Sequence, residues 1–508
     1  MTTAYSVTAL NDQKKDIAKK AIQRWLYEEF HWYGTPERGF QGGGFNEMLP
    51  PISGPTGTMT LKYNAALQTN TDPAQPPPGA VYKGEDFSGG MGQMYYVYEV
   101  DPWTDVYEPW FEKINSAFEG WEGLPDPDAY DTPIAQMRTA VTALTPMPNP
   151  DGGPLSTDFA SVDLASNLGL LDHWVNSGTD GASQGLLVFA FDQAYGAARI
   201  QAVMQNQAQA GIVLGMTLLG EQRIWEKTRK DIMRLAEEAE KAFDVTQGGG
   251  GGINLEVVQA FVGLVTAFVP PPVAGVLSKG SAVLDLVQKL KPAEHKDDPK
   301  PEISGDSAES IYTSMSSAIN KLDMTVLDQE LELVTHTLQG LLDEMREHAG
   351  TQFHIHPTNG VATDLVHAKA IDVHPEYLKR IGYQTVPHIA AVMATSADLA
   401  ATTDKPLMWD RGGYIGYVPA GPRDRYKDVL EEFDAVTTGS AKELVEAGEL
   451  LAHGAGFLKD TDGFQHEALK NVQDEINRGK DGWDNSKVGV PDPPPEIPRG
   501  PGGHPLPY

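Results

Sequence analysis

The chain has 508 residues, 40% of them hydrophobic and 21% charged, a globular composition long enough for roughly two to four domains and more than one core. Its net charge of −31 repels phosphate backbones, which excludes nucleic acid as the expected partner, and disfavours an anionic membrane surface unless an apolar element does the binding. With no cysteine there are no disulfides, thiolate metal sites or cysteine nucleophiles.

In chain order, residues Met1 to Lys20 carry Asp12, Lys14, Lys15 and Asp16 and no apolar h-region, so no cleaved Sec signal is expected. A first helix is predicted from near Asn11, capped by Asn11 or Asp12 and burying Ile17, Ile22, Leu26 and Phe30. It runs into the aromatic cluster Trp25, Tyr27, Phe30, Trp32, Tyr33, and Gly34 stops it. That cluster is read as packing against the body, with a partner-docking patch as the alternative. Residues 35–100 are rich in Gly, Pro and Thr, and alternation predicts short strands at Thr58–Tyr63 and Met94–Val100. Helices follow at 105–120, 131–143 and 157–175.

The longest helical stretch, 184–243, would span roughly 90 Å if unbroken. Its seam is Ile224, Thr228, Ile232, Leu235, Ala239, Ala242, with Glu221 among the charges at the other positions. Five glycines, Gly248–Gly252, then read as a hinge. An apolar hairpin occupies 253–290, divided by Pro270, Pro271 and Pro272. A second long helix is predicted over 306–348 with the seam Leu327, Leu331, Val334, Leu338, Leu341, Met345. Short strands are expected near 353–355 and 414–418, and helices at 424–436, 440–458 and 464–477. The Pro/Gly-rich tail 484–508 is expected to be disordered.

The expected fold is mainly α: an elongated helical bundle with long antiparallel helices and minor β elements. Its expected divisions are 1–100, a first helix with a Gly/Pro-rich region; 101–350, the long helices with hinge and hairpin; 351–483, a mixed region; and the tail.

Several patterns in the chain bear on chemistry. Gly211-x-x-x-Gly215 lies in the uncharged run Ala210–Gly220, too short to span a bilayer, and reads as a close helix approach. Val257–Val269 would be about 20 Å of helix, short of the roughly 30 Å a bilayer core needs. The hairpin, with Phe261 in its first arm, is therefore read as buried between helices, with membrane insertion about the glycine hinge as the alternative. Five of the 13 histidines fall between His354 and His388. No carboxylate sits at ligand spacing, so no metal is assigned. Gly181-Ala182-Ser183-Gln184-Gly185 has the spacing of a nucleophile elbow, but polar residues stand where its strand belongs, and Ser183 reads as a helix cap. No catalytic residue and no cofactor are expected, and the chain is read as non-enzymatic.

Trp121-Glu122-Gly123 falls between two predicted helices and is followed by a Pro-Asp-Pro turn. This Trp-x-Gly turn resembles the WXG100 family, helical hairpins exported by type VII secretion systems. The resemblance implies that Trp121 and Gly123 pack the turn between antiparallel helices, and that the chain is a secretion-associated or surface protein, exported without a cleaved Sec signal. Its partner would be another protein or a second copy of itself, with a membrane only in the alternative. A helical pore-forming toxin-like protein, or a structural part of a phage or other large assembly, are the other readings. A cytoplasmic location is the alternative to export.

Overall fold

Ser6, and not Asn11 or Asp12, starts the first helix: its hydroxyl accepts from Ala9 N–H at 3.0 Å, and α1 (Val7–Phe30) begins four residues earlier than the apolar spacing predicts. It ends one residue before His31, whose left-handed backbone (φ 55°) returns its N–H to Leu26 O. The computed structural model describes residues 3–67, 73–87, 93–146, 163–175, 186–244, 268, 302–355, 374–411, 413, 415–417 and 421–460. Of these, 72% are helical and 9% are in strands, so the chain is mainly α.

Two small antiparallel sheets follow α1. The first orders β1 (Trp32–Thr35), β2 (Gly39–Gly42) and β3 (Met48–Leu49); the second orders β4 (Met59–Asn64), β6 (Tyr95–Val100) and β5 (Val81–Asp86) in the sequence β4-β6-β5. Of the aromatic cluster, Trp32 is buried, while Tyr27 and Tyr33 meet edge to face at the surface with centroids 5.3 Å apart. Alternation located β4 and β6 to within a residue. It missed β1 and β2, whose glycines leave too few side chains to show a period, β3, which is only two residues long, and β5, none of whose residues is buried. The strands expected at 353–355 and 414–418 are not formed by the described residues there: Ala349–Phe353 is a π-helical turn, and 415–417 is a loop.

Helices α2 (Glu108–Ala117), α3 (Asp131–Leu144), α4 (Leu164–Val175), α5 (Leu186–Tyr195) and α6 (Ala197–Phe243) come next. Gly196 separates α5 from α6 within the stretch expected to be one helix. The second long helix is α7 (Ala308–Gln329) and α8 (His336–Glu347), joined through a π-helical turn at Glu330–Thr335. Then come α9 (Pro375–Arg380), α10 (Val386–Ala401) and α11 (Arg423–Asp460), the last continuous where two helices were expected.

The described residues fall into two compact units. The first draws on Met1–Gly153, Gln201–His354 and Ala391–Ala441. Within it, α6 and α7–α8 run antiparallel. Arg24 bonds both Ala242 O and the carbonyls of Gly305 and Asp306, and Gln207 near the other end donates to Phe353 O at 2.7 Å. All six seam residues of α6, Ile224 to Ala242, are buried. The second unit draws on Pro154–Ile200, Ile355–Ala390 and Lys442–Tyr508. There Trp174 stacks on Tyr377 at 3.9 Å, and Gly382 and Gly448 let two backbones meet, since a Cβ on Gly382 would lie 2.2 Å from Gly448 O. No helix among the described residues is long and apolar enough to cross a membrane.

Candidate functional site

Two features of the first unit concentrate the chemistry. The first is the turn carrying Trp121. Helix α2 ends at Ala117, Gly120 takes a left-handed backbone (φ 87°), and Trp121–Gly123 forms one 3-10 turn with Trp121 buried. The glycine that the turn's backbone requires is thus Gly120. Gly123 is exposed and closes the turn through its N–H to Gly120 O at 3.4 Å. The turn is held from both sides. Tyr5 Oη donates to Trp121 O at 2.8 Å, and the buried Lys14 ammonium pairs with Glu122. From α6, Arg229 donates to Leu124 O and to Asp126, both at 3.0 Å, and Gln222 donates to Pro127 O at 3.1 Å and to Asp131 at 2.7 Å.

The second feature is a charged cluster in the core. Arg411, carried by the loop between α10 and α11, is enclosed together with Glu330, both side chains having no exposed surface. Arg411 Nη1 donates to Glu330 Oε2 at 2.9 Å and to Ile415 O at 3.1 Å, and Nη2 lies 2.7 Å from Glu330 Oε1. The guanidinium sits 4.7 Å from the Trp225 ring centroid. Tyr417 N–H also donates to Glu330 Oε2, at 2.6 Å, and Gly416 N–H donates to Asp323 at 2.8 Å. The loop closes this tightly because of its glycines: a Cβ on Gly416 (φ 71°) would lie 2.3 Å from Glu330 Oε2, and one on Gly421 (φ 59°) would lie 2.0 Å from Arg411 Nη2. Loop and Trp121 turn also touch, Gly413 facing Gly120 so closely that a Cβ would come within 2.8 Å of Gly120 Cα.

A second carboxyl, Glu221 of α6, is equally buried and accepts from Trp225 Nε1 at 3.0 Å. Burial, and after it the charge of Glu330, holds Glu221 well above the ordinary carboxylate range, against the pull of Arg411 and the Trp225 indole. Burial also raises Glu330, opposed by the guanidinium that it contacts directly and by Tyr417 N–H. Burial opposes the charge of Arg411, but Glu330, in direct contact with it, outweighs that and keeps the guanidinium charged. Arg411 holds Glu330 down relative to Glu221, so Glu221 is the carboxyl whose protonated form the site favours, and in that form the cluster holds one cation and one anion. Burial, above all, raises the neighbouring Tyr130 phenol well above its ordinary value and keeps it protonated.

Gly211 and Gly215 lie on α6 in the same unit. A Cβ on Gly211 would lie 2.8 Å from Val141 of α3, and one on Gly215 would enter the ring of the buried Phe268, 2.0 Å from Cζ. Arg138 holds that residue by donating to Phe268 O at 3.1 Å. The small residues thus make room for a helix and for one aromatic ring. Phe261, Pro270, Pro271 and Pro272, the Gly248–Gly252 hinge, Ser183 and the tail lie outside the described residues. Of the clustered histidines, His354 is buried against Gly439. Among the described residues no three His, Asp or Glu side chains come together as metal ligands.

The pattern reading missed Glu221, Glu330 and Arg411. For Glu221 a signal was present: it precedes Ile224 by three, the position that extends the α6 seam. Arg411, in a loop, carried no periodic signal. No protein family, no curated protein and no solved structure matches the chain.

Proposed function

We propose that this chain is a non-enzymatic, secretion-associated or surface helical protein resembling type VII secretion substrates. It acts through protein–protein assembly on an elongated bundle of long antiparallel helices. The observation that carries this reading is the buried Trp121 in a tight turn between α2 and α3, pinned by Tyr5, Lys14 and Arg229. The antiparallel course of α6 and α7–α8 supports the bundle. The test is export. A tagged chain expressed in a host with a type VII system is expected in the culture medium, and to remain in the cells when that system's ATPase is deleted. Retention of the chain in cells whose other type VII substrates are exported would overturn the reading.

A further inference from the structure

A cleft of about 1040 Å³ lies between α1, the loop Ile52–Gly54 and the stretch Trp103–Glu122, at the upper end of the size range of small-ligand sites. Helices α1 and α2 are antiparallel beside it: Lys14 pairs with Glu122 toward one end, and Trp25 meets Trp110 edge-on at 5.9 Å toward the other. One wall is the α1 stripe Asn11, Lys15, Lys19; the other is Glu112, Asn115, Ser116 and Glu119 of α2 and its C-terminal turn.

The charges on the two walls are not equally answered. Each lysine has a carboxylate close by, Lys14 that of Glu122, Lys15 that of Asp12 at 3.3 Å, and Lys19 that of Asp16 at 3.3 Å. Among the described residues, neither Glu112 nor Glu119 has an ion-pair partner, so the charge left open in the cleft is negative. In the same cleft Trp103 stacks on Phe111 with centroids 5.5 Å apart, both half-buried. A cation on an apolar stem satisfies both features at once. The side chains of Asn11, Asn115 and Ser116 make no hydrogen bond among the described residues and offer donors and acceptors to a peptide backbone. The net charge of −31 draws basic partners toward the surface.

We infer that this cleft binds a basic peptide segment of a partner protein, with an arginine or lysine side chain against Trp103 and Phe111 and its cation at Glu112 and Glu119. The inference rests on the assembly reading in that the ligand is a protein, but it is tested by binding and not by export, so either can fail alone.

Calorimetry on the full chain uses three probes: acetyl-Ala-Arg-Ala-Phe-Arg-Ala-amide, the same peptide with glutamate for arginine, and spermidine. The arginine peptide is expected to bind, the glutamate peptide not to bind, and spermidine to bind more weakly than the arginine peptide. Both glutamates are exposed, so Glu112→Gln with Glu119→Gln is expected to keep the wild-type Tm while weakening the arginine peptide at least about tenfold. No arginine-peptide binding up to about 1 mM, equal binding of the glutamate peptide, or unchanged affinity in the double variant would overturn the site. Spermidine binding as tightly as the arginine peptide would overturn its assignment to a protein partner.

Discussion

The first unit contains two groups of charges built from the same side-chain chemistry and held under opposite conditions. Around Arg411 the cation, its carboxylate and the neighbouring Glu221 are fully enclosed and answer one another. Along the α1–α2 cleft Lys15 and Lys19 pair with exposed aspartates on their own helix, and two glutamates are left open. Burial decides what each group can do. An enclosed charge that loses its partner cannot recover it from water, so the core cluster fixes one arrangement of loop and helices. An exposed charge exchanges partners at little cost, so the cleft is free to meet a ligand.

This contrast is broken most severely at Arg411. Arg411→Met keeps much of the packing but strands Glu330 in the core. The loss is expected to be about 3–5 kcal/mol, read as a fall in denaturation midpoint, with the α10–α11 loop becoming open to proteolysis. A variant as stable as wild type would show that the loop does not clamp the helices.

Glu221→Gln is expected to have a smaller effect that depends on pH. The folded-state pKa of Glu221 lies above its unfolded value, so between the two the folded state binds the extra proton and stability falls as pH rises. Glutamine copies the protonated form. The variant should therefore lose this part of the wild-type slope, matching wild type most closely at acid pH and exceeding it as pH rises. Parallel stability–pH curves for the two proteins would contradict the assignment of the proton.

The smallest effect belongs to the cleft. Lys15 and Asp12 are both mostly exposed, and Lys15→Ala should leave stability within about 0.5 kcal/mol of wild type. A larger loss would mean that this wall is structural.

How far the sequence led, and where it stopped, is clearest along α7–α8. The four-three spacing read backward from Met345 through Leu341, Leu338 and Val334 agrees with a buried face. Continued to Leu331 and Leu327 it fails: both are only half-buried, and the core face there is Leu322, Val326 and Glu330. The cause is the π-helical turn Glu330–Thr335, which inserts a residue and rotates the face. A pattern that seeks leucines passes over that shift and leaves the one charged core residue of the helix unseen. Apolar period was enough to place α3, β4 and β6, and to find α1 but not its ends. The Arg411 loop was not legible because its position depends on glycine conformations and on partners about 80 and 190 residues away in the chain. The Trp121 turn was visible as a motif, but its requirement for left-handed Gly120 was not. Compact units each assembled from three separate stretches cannot be drawn as consecutive segments of a sequence.

Closure of the core cluster depends on one proton held on Glu221. Infrared difference spectroscopy between wild type and Glu221→Gln at neutral pH tests it most directly. A protonated carboxyl C=O stretch present in wild type and missing from the variant is the expected result. If that band is absent, and the difference spectrum shows only the loss of an ionised carboxylate, Glu221 carries its charge in the core and the cluster is not closed in this way.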